Sequence, residues 1–385
     1  TVVGATHLQN TVSVGGAATF SSKATFNDAV SVSGVLDVAG NTSVGGSFTA
    51  TGVATFTSKA TFNDDVSVSG ALIVGGASQF NSTVTVVGNA VFTGDIQKKT
   101  AGTSNFAAGV NAGNSIESDG NYNVVVGDEA GTAITTGDNN VAVGYAALDA
   151  NTTGDNNVAV GRNSLGANTT AGNNTAVGAS ALDANTTGTG NNALGYNALS
   201  DNTTGNDNNA MGLYALGDNT TGDYNTAVGH YALRVNTTAD NNTAIGYAAL
   251  DANTTGIDNT AVGASALGAN TTASYNASFG TRSLQANTTG ANNTALGNDS
   301  GQANTTGTEN TAVGAGSFYY NTTGSSNVAI GRLALFNNTT AADNTAVGDS
   351  ALKANTTGIQ NIGIGMNALA ANTTAANNTA VGFVC

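Results

Sequence analysis

The sequence contains no proline and no tryptophan, and only 9% of its 385 residues are charged. In an ordinary globular domain about a quarter of the residues are charged. The one cysteine, Cys385, cannot pair within the chain, so a disulfide-stapled fold is excluded. No apolar run is long enough for a membrane-spanning helix, and we expect no membrane insertion.

Positive charge is also scarce, with nine Lys and Arg against 24 Asp and Glu, for a net charge of −15. A protein that binds nucleic acid usually carries a basic stripe for the phosphates, and this chain has none. Disordered chains usually combine high charge with abundant proline. The low charge and the regular apolar spacing therefore favour an ordered, repetitive fold.

The first part of the chain repeats every six residues. An apolar residue recurs at this period, and many of its copies are preceded by a second apolar residue two positions earlier. A glycine often follows two positions later. The repeated series is Leu8, Val14, Phe20, Phe26, Val32, Val38, Val44, Ala50, Phe56, Phe62, Val68, Val74, Phe80, Val86 and Phe92. Short strands separated by corners predict an all-β, three-faced prism over residues 1–94. One chain could coil with three hexads per turn, or three chains could wind together as a triple β-helix; we favour the interwound form.

The second part of the chain has a 17-residue repeat. Asn-Thr-Thr triplets begin at 151, 168, 185, 202, 219, 236, 253, 270, 287, 304, 321, 338, 355 and 372. An Asn follows each triplet start by six residues and a Gly follows it by ten, without insertions. This register predicts a parallel β-roll, a solenoid, over residues 117–385, with stacked Asn ladders. Residues 95–116 fit neither period and are predicted to connect the two parts.

Each 17-residue rung offers about two large apolar side chains, which is little for an isolated roll. We therefore expect a homotrimer, with Val and Leu inside each roll and Ala and Gly along the molecular axis. A single-chain solenoid is the alternative.

Two families contain similar repeats. The pentapeptides at Asn174–Gly178 and Asn310–Gly314 resemble the repeat of trimeric autotransporter adhesin heads, which implies a left-handed parallel β-roll trimer. The longer string Asn236–Leu250 looks even more like repeats of bacteriophage tail-fibre proteins, and the N-terminal hexads are similar to their shafts.

The second resemblance implies a structural fibre segment in the virion, joined to tail or baseplate proteins and presenting a receptor-binding tip to the host. The alternative is a bacterial cell-surface adhesin or extracellular filament subunit. Because the sequence stops at Cys385 partway through a rung, we expect a cap or further domain to follow it.

No pattern in the chain indicates an enzyme, a cofactor or a metal site. His7 and His230 lie in different repeat regions without a repeated partner. The Asn-Thr-Thr triplets also match the N-glycosylation acceptor, although turn and ladder formation explains their spacing better.

Variable rung positions are predicted to face outward and to include any contacts with a host glycan or protein receptor. They hold Tyr145, Tyr196, Tyr214, Tyr231, Tyr247, Arg162, Arg282 and Arg332. One rung has the aromatic run Phe318, Tyr319 and Tyr320, which we single out as a surface contact site.

Overall fold

The computed structural model describes residues 101–385 and, nearer the N-terminus, four short strands at 36–38, 42–44, 54–56 and 60–62. The chain divides into two compact units, Thr1–Ala90 and Val91–Cys385. The two units are described separately.

In the first unit, strands pair in parallel across three hexads. The four strands are β1 (Leu36–Val38), β2 (Thr42–Val44), β3 (Ala54–Phe56) and β4 (Ala60–Phe62). β1 pairs with β3 and β2 with β4, so that Leu36 lies opposite Ala54 and Thr42 opposite Ala60. These pairings are those of one chain coiled with three hexads per turn, whereas the interwound form was the one we favoured. The other hexads lie outside the described residues.

The second unit contains a stack of short parallel strands, each of three residues, that forms a β-solenoid. Its 17 strands are β5 (Phe106–Ala108), β6 (Val124–Val126), β7 (Val141–Val143), β8 (Val158–Val160), β9 (Thr175–Val177), β10 (Asn192–Leu194), β11 (Asn209–Met211), β12 (Thr226–Val228), β13 (Thr243–Ile245), β14 (Thr260–Val262), β15 (Ala277–Phe279), β16 (Thr294–Leu296), β17 (Thr311–Val313), β18 (Val328–Ile330), β19 (Thr345–Val347), β20 (Ile362–Ile364) and β21 (Thr379–Val381). From β6 onward each strand pairs with the next at a shift of one 17-residue repeat. The predicted 17-residue parallel roll is confirmed.

Rung positions are numbered here from the Asn of each Asn-Thr-Thr triplet, so that position 17 precedes the next triplet. In the rung 151–167 the buried residues are those at positions 1, 4, 7, 9, 14 and 15, which are Asn151, Gly154, Asn157, Ala159, Ser164 and Leu165. The strand occupies positions 8–10, and its central residue points inward. The core is therefore a narrow column of Ala, Leu and Asn.

The strand residues point the opposite way from our prediction, which placed Val inside the roll and Ala outside. Leu at position 15 is inside the roll as predicted, but Ala at position 9 is also inside and the large residue at position 10 is outside, as in Ala159 and Val160. The interior is one methyl group wide at this point: a Cβ added to Gly363 (position 9) would lie 3.1 Å from the carbonyl oxygen of Ala368 (position 14). Valine does not fit there unless a neighbour is smaller.

One rung has a valine at position 9 and a smaller residue opposite it. Val125 stands at position 9 and is completely buried. Here position 15 is Gly131 instead of Leu, and an added Cβ on Gly131 would lie 2.7 Å from a methyl carbon of Val125. The larger residue on one wall is thus matched by the smaller residue on the other.

The roll extends into the segment that we assigned to a connector. β5 (Phe106–Ala108) lies within residues 95–116 and pairs with β6, with Phe106 opposite Val124. This first step is one residue longer than the later steps, and the extra residue hides the repeat from a search at a fixed period.

Candidate functional site

Two ladders of buried asparagine run through the roll. At position 7, the backbone N–H of each Asn donates to the side-chain oxygen of the Asn one rung earlier, at 2.8–3.1 Å, from Asn105 to Asn378 without a break. In most rungs the side-chain amide donates to the carbonyl at position 4 of the next rung, as Asn140 does to Gly154 at 2.9 Å. Because amides satisfy one another, polar groups can fill this narrow core without the cost of unpaired burial.

The second ladder contains the Asn of the Asn-Thr-Thr triplets. From Asn168 to Asn372, each side-chain amide donates at 2.7–3.1 Å to the side-chain oxygen one rung earlier. The same amide donates to the carbonyl at position 4 of its own rung, as Asn168 does to Ala171 at 3.0 Å. Asn151 and the triplet Asn residues up to Asn355 are completely buried. In the folded roll their amide nitrogens are thus inaccessible to a glycosyltransferase, which supports the turn-and-ladder interpretation.

An apolar column runs along the outside of the sheet at position 10. It consists of Val126, Val143, Val160, Val177, Leu194, Met211, Val228, Ile245, Val262, Phe279, Leu296, Val313, Ile330, Val347, Ile364 and Val381. Met211 is 51% exposed and Leu194 is 46% exposed. All strands share one register, so these side chains form one continuous stripe, which we call the apolar column.

Five aromatic rings line one corner of the roll over four consecutive rungs. Tyr196, His230 and Tyr247 stand at position 12, and Tyr214 and Tyr231 at position 13. Neighbouring ring centroids are 5.7 Å apart for Tyr196 and Tyr214, 6.0 Å for Tyr214 and Tyr231, 3.9 Å for His230 and Tyr231, and 5.8 Å for His230 and Tyr247. We call these five residues the aromatic ribbon.

The ribbon is bordered by charged and polar groups. The guanidinium carbon of Arg234 lies 5.0 Å from the ring centre of Tyr231, and its Nε donates to Asp251 at 3.0 Å. Beyond Tyr196 a shallow depression is lined by Ser180, Asp183, Ala184, Asn197, Ser200 and Asp201. The ribbon was anticipated in part, since its tyrosines stand at variable positions. The sequence did not show that His230 joins them, or that they touch across rungs.

The run Phe318, Tyr319 and Tyr320 does not form one surface site. Phe318 stands at position 15, where other rungs have Leu, and is only 1% exposed. The rung before it has Gly301 at this position, and the space beside Gly301 is filled by Leu284. Phe318 is therefore a core residue, which corrects the prediction. Tyr319 and Tyr320 lie outside and pack with Phe336 of the next rung, with ring centroids 5.2 and 5.1 Å away.

The arginines at variable positions mostly bind aspartates one rung later. Arg282 donates to both carboxylate oxygens of Asp299, at 2.7 and 2.9 Å, and Arg332 pairs with Asp349 at 3.1 Å. The nearby guanidinium and, more strongly, the Ser350 hydroxyl hold the pKa of Asp349 below its usual value. These exposed pairs tie neighbouring rungs together modestly.

Acids that lack such partners line positions 16 and 17. Burial raises the pKa of Asp149, Asp183 and Asp218 above the usual value of an aspartate. Arg162 opposes this for Asp183 and Arg234 for Asp218, while the neighbouring Asp201 raises the pKa of both further. This column of partly buried acids costs the roll stability at neutral pH.

Other candidates give no reactive site. His7 lies outside the described residues, and the Nε2 atom of His230 is covered by its neighbours. Within the described part of the chain, no three His, Cys, Asp or Glu side chains come together in a way that could hold a metal ion. The same part contains no helix long and apolar enough to cross a membrane.

Comparison with known proteins gives no assignment: no protein-family model matches the sequence, and no curated protein matches it either. The fold and the surfaces of the roll are therefore the basis for a functional proposal.

Proposed function

We propose that this chain is a structural segment of a homotrimeric fibre, of the kind found in phage tail fibres, that holds a receptor-binding tip away from the particle. The stack of 17 strands supports this role. At about 4.8 Å per rung it gives a shaft of roughly 75 Å. Its inter-rung ladders of hydrogen bonds are typical of a spacer that resists bending.

The apolar column is the observation that carries the trimer proposal. Soluble monomers rarely expose a long continuous apolar stripe. Because every rung repeats the same register, the column of one chain matches the column of another along its whole length. A closed, symmetric assembly of identical chains buries such a self-complementary surface. The large residues at position 10 would then line the molecular axis, where we had expected Ala and Gly.

For the N-terminal hexads, we propose the three-faced prism. The parallel pairings of β1 with β3 and of β2 with β4 support one chain coiling on itself within that prism. Electron micrographs would distinguish the forms by length. A self-coiled region spans roughly 25 Å, and three interwound chains extend it to roughly 75 Å.

The oligomeric state is tested by light scattering on the purified full chain. We expect the mass of three chains. The mass of one or of two chains would reject the threefold assembly.

Matched variants test whether the apolar column is the interface. Met211→Glu with Ile245→Glu places two charges in the column and should give single chains, because burial of unpaired charges is costly. The control is Tyr224→Glu with Tyr275→Glu at position 6, which is exposed and holds Glu309 in another rung. A trimer that survives the first pair of substitutions would place the interface elsewhere.

The cellular role is tested by antibodies against the roll. Labelling of virion tails in electron micrographs would support the tail-fibre role. Labelling of bacterial cell surfaces without virions would replace it with the adhesin alternative.

A further inference from the structure

We propose that the aromatic ribbon, together with the polar depression beside Tyr196, binds a neutral oligosaccharide. This inference goes beyond the proposed fibre role and does not depend on the trimer. It rests on where the rings cluster, on their backbone conformation and on the groups around them.

The clustering of the rings is not explained by the repeat. Positions 12 and 13 of most other rungs hold small, polar or charged residues, such as Ala179, Ser180, Ala264 and Ser265. Exceptions include Tyr145, Leu333, Met366, Phe383 and Val384. Before the ribbon, among full rungs, only Tyr145 places a ring at either position. The roll therefore stacks without rings at this corner, and five of them in four successive rungs need another reason.

Two of the rings also stand on an unfavourable backbone. Tyr214 and Tyr231 have φ angles of 53° and 60°, in the left-handed region that bulky side chains seldom adopt. Asn and Ser hold the same position in other rungs, as in Asn163 and Ser180. Position 13 is left-handed in every rung and also holds Arg282 and Leu333, so the conformation belongs to the repeat. The choice of tyrosine over asparagine there adds ring surface at the cost of a less favourable turn.

The ring surfaces remain accessible. Tyr196 is 48% exposed and Tyr247 is 56% exposed, so the two ends of the ribbon present open faces. The four rungs extend over about 15 Å from the first to the last. That length suits an extended chain of several sugar units rather than one small molecule.

The surrounding chemistry favours a saccharide. Tyrosine rings pack against the apolar C–H faces of a sugar, and their hydroxyls remain free to form hydrogen bonds. In the depression, Asn197, Ser200 and Asp201 offer donors and acceptors for sugar hydroxyls. The ribbon thus has hydrogen-bonding groups beside it at the Tyr196 end, as an amphipathic ligand requires.

Charge argues for a neutral ligand. Asp183 and Asp201 border the depression, and they repel phosphate and carboxylate groups. Arg162 partly offsets the charge of Asp183, but the two acids outnumber it, and Arg234 is already paired with Asp251 and stacked on Tyr231. Acidic sugars, nucleic acid and anionic lipid therefore fit this surface poorly.

The test uses the full chain on an array of neutral and acidic oligosaccharides of increasing length, followed by titration calorimetry with the neutral oligosaccharide bound best. Tyr196→Ala with Tyr247→Ala removes the two most exposed rings without touching a left-handed residue. We expect binding to weaken at least tenfold, the loss that corresponds to about 1.4 kcal/mol. Tyr145→Ala is the matched control, because Tyr145 stands at the same rung position, is 53% exposed and lies three rungs before the ribbon.

Binding of neutral saccharides that the ribbon variant loses and the Tyr145 variant keeps would support the proposal. It would be overturned if no neutral saccharide binds, if acidic saccharides bind instead, or if both variants bind as the wild type does. Capture of a protein ligand through the ribbon, without saccharide binding, would also overturn it. Circular dichroism and light scattering verify that each variant keeps the fold and mass of the wild type.

Discussion

At the residue scale, the glycine at position 11 is required by the closeness of the rungs. Gly246 has a φ of 136°, which a side chain rarely adopts. A Cβ added to it would lie 2.6 Å from the carbonyl oxygen of Gly263 in the next rung. Backbone and not a movable side chain is in the way, so no local rearrangement relieves the clash.

Gly246→Ala should therefore lower the free energy of unfolding by more than about 2 kcal/mol, measured by urea denaturation. Gly217→Ala is the control. Its φ is not in the left-handed region, and the nearest atom to an added Cβ, the carbonyl oxygen of Tyr214, is 3.4 Å away. Equal losses in the two variants would show that rung spacing does not explain the glycine.

The asparagine at position 7 is a second residue-scale requirement. The side-chain oxygen of Asn242 accepts the backbone N–H of Asn259 at 3.0 Å, and its amide donates to the carbonyl of Gly256 at 2.9 Å. Alanine at this position would leave the N–H of Asn259 buried and unpaired, whereas the carbonyl of Gly256 would keep the amide of Asn253 as its donor.

Asn242→Ala should cost about 1–3 kcal/mol of unfolding free energy, the cost of one buried group left without a partner. The neighbouring Asn241 is exposed with a φ of 59°, so Asn241→Gly should change the unfolding free energy little. Thermal unfolding of the two variants provides the comparison. A stable Asn242→Ala roll would mean that water replaces the ladder.

At the scale of the element, the unit of structure is the whole rung. Every strand pairs only with the strands of the rungs before and after it, and both Asn ladders step by one rung. An unusually large core residue can be matched by an unusually small one in the same rung, as Val125 is by Gly131. Stability is then close to a sum over rungs and their contacts.

Deletion of residues 253–269, one complete rung, should leave a folded roll, because the ladders rejoin in register. Deletion of residues 253–268 shifts every later side chain by one position along the roll. We expect that variant to lose β-structure in circular dichroism spectra and to unfold at a much lower temperature. Similar melting temperatures for the two deletions would contradict the fixed register.

The acids at positions 16 and 17 give the roll a pH dependence. The pKa values of Asp149, Asp183 and Asp218 are raised in the folded state, mainly by burial, so the folded chain binds protons more tightly there than the unfolded chain. Their ionisation therefore does not weaken the roll at pH values below the pKa that they have in the unfolded chain. The free energy of unfolding then decreases as the pH rises through the pKa that they have in the folded chain.

Asp183→Asn with Asp218→Asn should therefore stabilise the roll at pH 7, by on the order of a few tenths of a kcal/mol per site because solvent screens these groups. At about pH 3, where the wild-type acids are largely protonated, the gain should vanish. Melting temperatures of both proteins across this range measure the difference. A gain that is equal at both pH values would assign the effect to something other than charge.

At the scale of the whole molecule, the proposed trimer would couple association to stability. The core of each roll is narrow, while the apolar column lies outside it. If the column is buried between chains, folding and assembly stabilise each other.

The melting temperature should therefore rise with protein concentration for the wild type. The Met211→Glu, Ile245→Glu variant should melt at a lower temperature that does not change with concentration. Calorimetric scans over a hundredfold range of concentration test this. A wild-type melting temperature independent of concentration, in a reversible transition, would indicate that one roll is stable by itself.

The sequence by itself determined the period, the parallel register, the buried Leu column and the Asn ladders. Each depends on spacing along the chain, and a stack without insertions turns equal spacing into alignment. The first rung was missed because its step is longer than the repeat, and only the pairing of Phe106 with Val124 reveals it.

The tertiary structure alone decided which strand face is inside. Alternation shows that Ala and Val point to opposite sides, but it does not say which side is the core. That choice depends on the width of the roll, since the wall at position 14 leaves room for only a methyl group opposite it. The same narrow width leaves the large residues of position 10 outside. Phe318 is inside because position 15 points into the core, and the common register brings tyrosines of successive rungs into one ribbon.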